Sequence, residues 1–302
     1  MPTITQLKEH YRLNEAEHEK AYRDISSKYF SNIEVVGKPA AYYLAGQPGS
    51  GKTALRKTLY ESLSGNAVIL NTDDLREYHP SYTDLKSDPE LYHKAPVLVN
   101  HDSSRWVQRL IADAISMRAN IIFDSTLGAE RIDSFERGIM ALKESHGYAV
   151  GIHALIVKPE LSRLGIYLRY ENDLKESGAG RFVEMSTHDL NYRMIPDNIE
   201  KLAGMFRLDE VSIYRRRIRS DGGRLVNNAV ERLFSIKDTD REKAEDIKAV
   251  INEERARPLE PVEREYYRFR YNQVVRLLKE RGAGLDQLRK DLAGLERLKI
   301  KL

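Results

Sequence analysis

Ala40-Ala-Tyr-Tyr-Leu-Ala-Gly46-Gln-Pro-Gly-Ser-Gly51-Lys52-Thr53 decides how this chain folds. An apolar run reads as a buried strand, a glycine-rich loop follows, and residues 54 to about 63 read as a helix. The loop fits the pattern G-x-x-x-x-G-K-S/T. Gly46, Gly49 and Gly51 permit backbone angles that turn consecutive N–H groups onto phosphate oxygens. Lys52 is placed to reach the β- and γ-phosphates of a nucleotide, and the Thr53 hydroxyl to ligate Mg²⁺. The helix dipole points at the same anion.

Working outward, residues 66–71 form a second apolar run that ends in Thr72-Asp73-Asp74. Ligands in open α/β sheets bind at the carboxyl ends of strands. One of the two aspartates is expected to cap the next helix and the other to be free for chemistry. Residues 79–100 read as a loop over an acceptor substrate. Trp106, Val107, Leu110, Ile111, Ala114 and Ile115 mark an amphipathic helix with Trp106 in the core. Residues 120–124 are a third strand ending in Asp124. That carboxylate suits either Mg²⁺ held through water or a cap on a helix beginning near Ala129. Residues 148–157 are a fourth strand, with His153 structural in its middle.

The next helix carries Arg169 and leads to Ser177-Gly178-Ala-Gly180-Arg181. On spacing alone the two arginines fit equally a lid closing over a triphosphate and two solvated side chains. Residues 187–206 read as helix with Pro196 a kink or break. Residues 211–214 read as a short fifth strand. Arg215, Arg216, Arg217 and Arg219 follow it as a solvated face or an adenine-side contact, without the interleaved aromatics of a nucleic-acid surface. Residues 225–234 read as a closing helix.

The 302 residues, 41% hydrophobic and 31% charged, predict one large α/β domain over 1–234, with N-terminal helices within 5–30, and a helical extension over 235–302. The sheet and its helices look complete by Phe234. In the extension, Pro258 and Pro261 interrupt a charged stretch, a helix spans 262–281, and leucines from Leu285 to Leu302 form a seam. That seam packs on the preceding helix or on a second chain. A net charge of +3 implies no general nucleic-acid field, and the lack of cysteine excludes disulfides, thiolate metal sites and cysteine nucleophiles. The start of the chain has no apolar signal region and no apolar run approaches ~18 residues, so a soluble cytoplasmic protein is expected.

Alternating strands and helices opened by a phosphate loop give a three-layer α/β fold with a mainly parallel sheet. Over roughly residues 5–234 the sequence also resembles the zeta toxins, phosphate-loop kinases of toxin–antitoxin systems. The likeness rests on the loop and on Val68-Ile-Leu-Asn-Thr-Asp73-Asp-Leu-Arg76-Glu-Tyr-His-Pro80. It continues in Asp124-Ser-Thr126-Leu, in Ala154-Leu-Ile-Val-Lys-Pro159-Glu-Leu161 running into Leu168-Arg169-Tyr-Glu171, and in Arg181 followed by His188-Asp189.

The resemblance implies an ATP- and Mg²⁺-dependent kinase that phosphorylates the 3′-hydroxyl of UDP-N-acetylglucosamine on its sugar. It implies that Gly46, Gln47, Pro48, Gly49, Ser50, Gly51, Lys52 and Thr53 hold ATP, with Thr53 and Asp124 toward the metal. Asp73 would be the base, Arg169 and Arg181 the arginines on the transferring phosphoryl group, and Arg76, Asp124 and Thr126 acceptor contacts. A small antitoxin blocks the ATP site in that family. Three positions depart from the pattern: Asp124 replaces a glutamate, Gly128 an arginine and Gln108 a glutamate. A kinase for another small hydroxyl compound fits the residues as well. So does an ATP-binding module whose C-terminal helices engage a protein partner.

Overall fold

The computed structural model describes residues 2–88, 90–178, 180, 182–221 and 224–282. Arg181 and the leucine seam from Leu285 onward lie outside the described residues.

Six strands make one sheet: β1 (Ala40–Ala45), β2 (Val68–Leu70), β3 (Ile121–Asp124), β4 (Ala149–Ile156), β5 (Glu210–Asp221) and β6 (Arg224–Lys237). Their order is β2-β3-β1-β4-β5-β6. The first five are parallel, and β6 runs antiparallel to β5. Strands buried on both faces need apolar side chains throughout. Ala41, Tyr43 and Ala45 of β1 accordingly join one core, while Leu44 joins the other.

The helices are α1 (Ile4–His10), α2 (Glu15–Phe30), α3 (Lys52–Ser62), α4 (Thr72–Leu75), α5 (Tyr82–Ser87), α6 (Ala95–Leu98), α7 (Asn100–Ser116), α8 (Asp133–Met140), α9 (Pro159–Ser177), α10 (Met185–Met205), α11 (Arg241–Ala256) and α12 (Pro261–Glu280). Capping boxes start α1 at Thr3 with Gln6 and α2 at Asn14 with Glu17. Trp106 on α7 is fully buried, and its indole N–H donates to the His18 carbonyl at 3.2 Å. No helix among the described residues is long and apolar enough to cross a membrane.

Several sequence readings are corrected. Residues 225–234 are strand, not a closing helix, and β6 extends to Lys237. Arg215, Arg216, Arg217 and Arg219 lie inside a long β5 rather than after a short one. Residues 79–100 contain α5 and α6. α10 continues through Pro196. The two final helices cover opposite faces of the sheet. Ala244, Ile247 and Ile251 of α11 enter one core; Tyr266, Tyr267, Val274 and Leu278 of α12 enter the other.

Candidate active site

The loop between β1 and α3 is held from three sides. Beneath it, the buried Gln47 donates from Nε2 to the Val157 carbonyl at 2.7 Å and to Ser162 Oγ at 3.2 Å. Ser162 in turn lies 2.8 Å from His188 Nε2, and Asp189, paired with Arg163, meets His188 Nδ1 at 2.8 Å. This chain ties the loop to α9 and α10. Burial holds the His188 imidazole below its ordinary value, against the pull of Asp189. From the side, Arg216 Nη2 donates to the carbonyls of Ser50 at 2.6 Å and Gly49 at 3.1 Å. Arg216 is therefore neither solvated nor merely adenine-facing. At the start of the loop, Gly46 N–H donates to the Thr126 carbonyl at 3.1 Å.

Glycine is required where α9 presses on this loop. Gly49 has φ +74°, and a β-carbon there would sit 2.0 Å from the Ser162 carbonyl oxygen. A β-carbon on Gly165 of α9 would sit 2.4 Å from the Gly49 carbonyl oxygen. With the carbonyls engaged, no backbone carbonyl among the described residues accepts from the N–H groups of Gly51, Lys52 or Thr53. The Ser50 hydroxyl is buried without a partner there. These are the donors an anion takes at a helix N-terminus.

The carboxylates gather beside Lys52, whose Nζ donates to the Gly46 carbonyl at 2.8 Å. Burial presses its ammonium below the ordinary value; Asp124 and Asp73 oppose this, and Arg169 adds to it. Lys52, Asp73, Asp124 and Arg169 thus share one field. Arg169 is exposed on α9, and Thr53 is exposed in the first turn of α3.

Neither aspartate after β2 is the N-cap of α4. Asn71 is, its Oδ1 accepting from Asp73 N–H at 2.9 Å. That leaves both carboxylates outward in the first turn, where Asp73 pairs with the buried Arg76. Asp74 is held above the usual carboxylate range by burial, with Asp124 and Asp73 adding to the rise and Arg56 opposing it.

Asp124 caps no helix, since α8 begins only at Asp133. Its Oδ2 accepts from Arg56 Nη1 at 3.0 Å and from Asn71 Nδ2 at 3.2 Å. Thr126 Oγ1 accepts from Gly128 N–H at 3.3 Å. A β-carbon on Gly128 would meet Asn191 Oδ1 at 2.3 Å, so α10 fills the place of a longer side chain. Gln108 is exposed on α7.

A cleft of about 770 Å³ opens nearby, its walls including Tyr82, Lys86, Tyr92, His93, Tyr170 and Phe182. Burial raises the Tyr82 hydroxyl above its ordinary value. Arg76 opposes that rise, while Glu77 and Asp73 add to it, which puts the cleft next to the Asp73–Arg76 pair.

Sequence reading missed Arg56 and Gly165, the capping role of Asn71 and the loop contact of Arg216. Arg56 lies four residues after Lys52, on the same face of α3. Asn directly before Thr-Asp-Asp is a cap signal. Gly165 and Arg216 give no local sign, because their partners are remote in sequence.

The profile of the family described as Zeta toxin matches residues 25–231, more than half of the chain. Toxin PezT of Streptococcus pneumoniae serotype 4 (strain ATCC BAA-334 / TIGR4) is 30% identical over 181 residues, covering 59% of this chain and 69% of that protein. Toxin zeta of Streptococcus pyogenes is 26% identical over 200 residues, covering 66% and 68%. The fold is similar to one solved for the PezAT chromosomal toxin–antitoxin system of Streptococcus pneumoniae. The TM-score is 0.70 at 21% identity, over 88% of this chain and 98% of that one. The phosphate loop, the carboxylates gathered at its edge and the extent of the family match agree: this chain belongs to the zeta toxin family of kinase-like toxin–antitoxin proteins.

Proposed function

We propose that the chain is an ATP-dependent kinase for a hydroxyl of a small acceptor, a nucleotide sugar such as UDP-N-acetylglucosamine. One arrangement carries the reading: Lys52, with Asp124, Arg169 and Asp73 close enough to act on its charge, stands beside a helix N-terminus whose first N–H groups meet no backbone carbonyl among the described residues. Phosphoryl transfer needs that arrangement of positioning and charge more than it needs covalent chemistry.

The loop amides and Lys52 hold the ATP phosphates. Asp73, turned outward by the Asn71 cap and oriented by Arg76, takes the proton from the acceptor hydroxyl. The acceptor oxygen attacks the γ-phosphorus, the bond to the β–γ bridging oxygen breaks, and ADP leaves. Arg169 neutralises charge on the transferring group, and Arg181 is assigned the same work from the family pattern. Among the described residues the hydrogen bonds to Asp124 fall on Oδ2, so Oδ1 and the exposed Thr53 hydroxyl are the hard oxygen donors of this reading. Mg²⁺ suits such donors and would neutralise phosphate oxygens there. The cleft bearing Tyr82, Tyr92, Tyr170 and Phe182 has the volume and aromatic walls for a nucleotide-sized acceptor. The reading places the protein in the cytoplasm, with a small antitoxin protein as partner at the ATP site.

A different small hydroxyl acceptor is the second reading. It is favoured by Asn191 filling the space at Gly128 and by Arg56 drawing on the shortened Asp124.

Phosphate transfer from labelled ATP to a panel of UDP-sugars and nucleotides tests both. Asp73→Asn should leave ATP affinity nearly unchanged and cut transfer ~10²-fold or more, the usual worth of a general base. Transfer at the wild-type rate would place the base elsewhere. ATP turnover with no UDP-sugar phosphorylated would keep the kinase and select the second reading.

A further inference from the structure

The turn that opens α9, Lys158-Pro159-Glu160, faces the connection between α11 and α12 across a cavity of about 640 Å³. Cations dominate its wall: Lys158, Arg255, Arg257, Arg264 and Arg268 stand against one carboxylate, Glu160. Three of these cations have internal work. Lys158 Nζ donates to the carbonyls of Arg255, at 2.8 Å, and Arg257. Arg257 pairs with both oxygens of Glu263 at 2.6 and 2.7 Å and with Glu254 at 2.8 Å. Arg264 Nη1 donates to the Leu259 carbonyl at 2.7 Å.

Arg255 and Arg268 are different. The Arg255 guanidinium lies 3.9 Å from the centre of the Tyr192 ring, and its Nε and Nη2 are buried without an acceptor among the described residues. Arg268 is exposed and has no ion pair among the described residues. Glu160 Oε2 is also buried without a partner among the described residues. A guanidinium carries five donors, and burying some of them unmatched is costly. Burial, and after it the nearby Arg257 charge, push the Lys158 ammonium below its ordinary value, with Glu160, Glu254 and Glu263 opposing. The positive end of the 19-residue α9 helix faces the same space.

We infer that this cavity binds the di- or triphosphate group of a small molecule, at a site separate from the phosphate loop. The exposed Arg268, with the part of the half-buried Arg255 guanidinium outside its enclosed Nε and Nη2, supplies the donors that the phosphate oxygens accept, in the planar geometry that suits them. Tyr192 holds the Arg255 plane in place. Glu160 stands ready to accept from hydroxyl groups of an attached ribose. None of residues 46–53 is among the residues that line the cavity, and the Gln47–Ser162 hydrogen bond that ties the loop to α9 is buried.

Isothermal titration calorimetry of the full chain with inorganic pyrophosphate tests this. Wild type should bind two equivalents and Lys52→Ala one. Adding Arg268→Glu to Lys52→Ala should weaken the remaining equivalent at least tenfold. Arg268 is exposed, so its replacement tests the site without disturbing the core; Arg255→Ala should act the same way. ADP titrated into Lys52→Ala separates the ligand's sources. Tighter binding than pyrophosphate assigns Glu160 a ribose contact; equal binding assigns the site to the phosphate group alone. A single equivalent in wild type that vanishes in Lys52→Ala overturns the inference. So does a second equivalent unmoved by Arg268→Glu.

Discussion

Arg56 Nη1 lies 3.0 Å from Asp124 Oδ2 and 3.5 Å from Asp74 Oδ2, so one guanidinium on the phosphate-loop helix ties together carboxylates from two strand ends. The Asp124 side chain is only 10% exposed, which leaves the pair little screened by water. Without Arg56, Asp124 would face Asp74 and Asp73 with Asn71 as its remaining donor among the described residues. A charge-assisted hydrogen bond of this kind is worth roughly 1.5–3 kcal/mol. Arg56→Ala should therefore lower kcat for phosphate transfer ~10- to 100-fold, with ATP affinity changed much less. Arg56→Lys should restore part of the loss. Steady-state kinetics on all three proteins checks this, and wild-type kcat in Arg56→Ala would reduce the pair to a surface contact.

Gly165 makes a second prediction. Its β-carbon position, 2.4 Å from the Gly49 carbonyl oxygen, is blocked by Gly49 backbone atoms alone, with no flexible side-chain end that could swing away. Gly165→Ala must push α9 off the loop and turn the Gly49 peptide. ATP affinity should fall at least tenfold. Gly37→Ala, where a β-carbon meets nothing within 4 Å, is the matched control and should bind ATP normally. Equal affinities for the two variants would mean that the loop tolerates the shift.

His153 sets an acid limit on the fold. It is buried in the middle of β4 with Nε2 unpartnered among the described residues, Nδ1 3.2 Å from the Tyr214 hydroxyl and its ring edge-on to Tyr42. Burial lowers its pKa from 6.5 to about 4, with Glu210 opposing and Arg232 adding to the shift. The folded state thus disfavours the proton that the unfolded chain accepts. Stability from this group is full above pH 6.5 and is lost as pH falls toward 4, by roughly 3 kcal/mol at most at 1.36 kcal/mol per pKa unit. His153→Gln should flatten that part of the stability curve. Melting temperatures at pH 7.5 and pH 5 for both proteins decide it; identical acid shifts would remove His153 as the cause.

β1 to β4 and the apolar start of β5 were legible because burial on both faces demands short apolar runs, whereas the arginine-bearing rest of β5 was not. Nor was β6. Its apolar residues Leu225, Val226, Ala229, Val230, Leu233 and Phe234 recur at helical spacing. Two irregularities explain this. Ile213 faces Phe234 while Tyr214 faces Arg232, and Arg217 faces Ala229 while Arg219 faces Val226. Each inserts an extra β6 residue and resets the alternation of faces. In the site, Lys52 and Asp73 stood out because local motifs carry them. Arg216 did not, because the Gly49 carbonyl it holds is 167 residues away and the neighbouring arginines look the same in sequence.

The last prediction concerns the two final helices. By sequence the domain looks complete at Phe234, yet a chain ending at Ser235 would lose Ile236 and Lys237, which pair with Val211 and Glu210. It would also lose Thr239, whose hydroxyl is hydrogen-bonded to the Ala203 carbonyl and the Leu208 N–H. Both cores would open, one where Ile247 and Ile251 now sit at 0% exposure, the other where Val274 and Leu278 do. Burying a side chain of this size contributes ~1.5–3 kcal/mol, and whole domains are stable by only about 5–15 kcal/mol. Losing these four alone removes a stabilisation comparable to the whole. The truncated chain should therefore show no cooperative thermal transition and bind no ATP, whereas a chain ending at Arg281 should retain both. Circular dichroism melts and ATP titration of the two truncations provide the test. A cooperative melt of the shorter chain within a few degrees of full length would show that α11 and α12 cover the domain without holding it together.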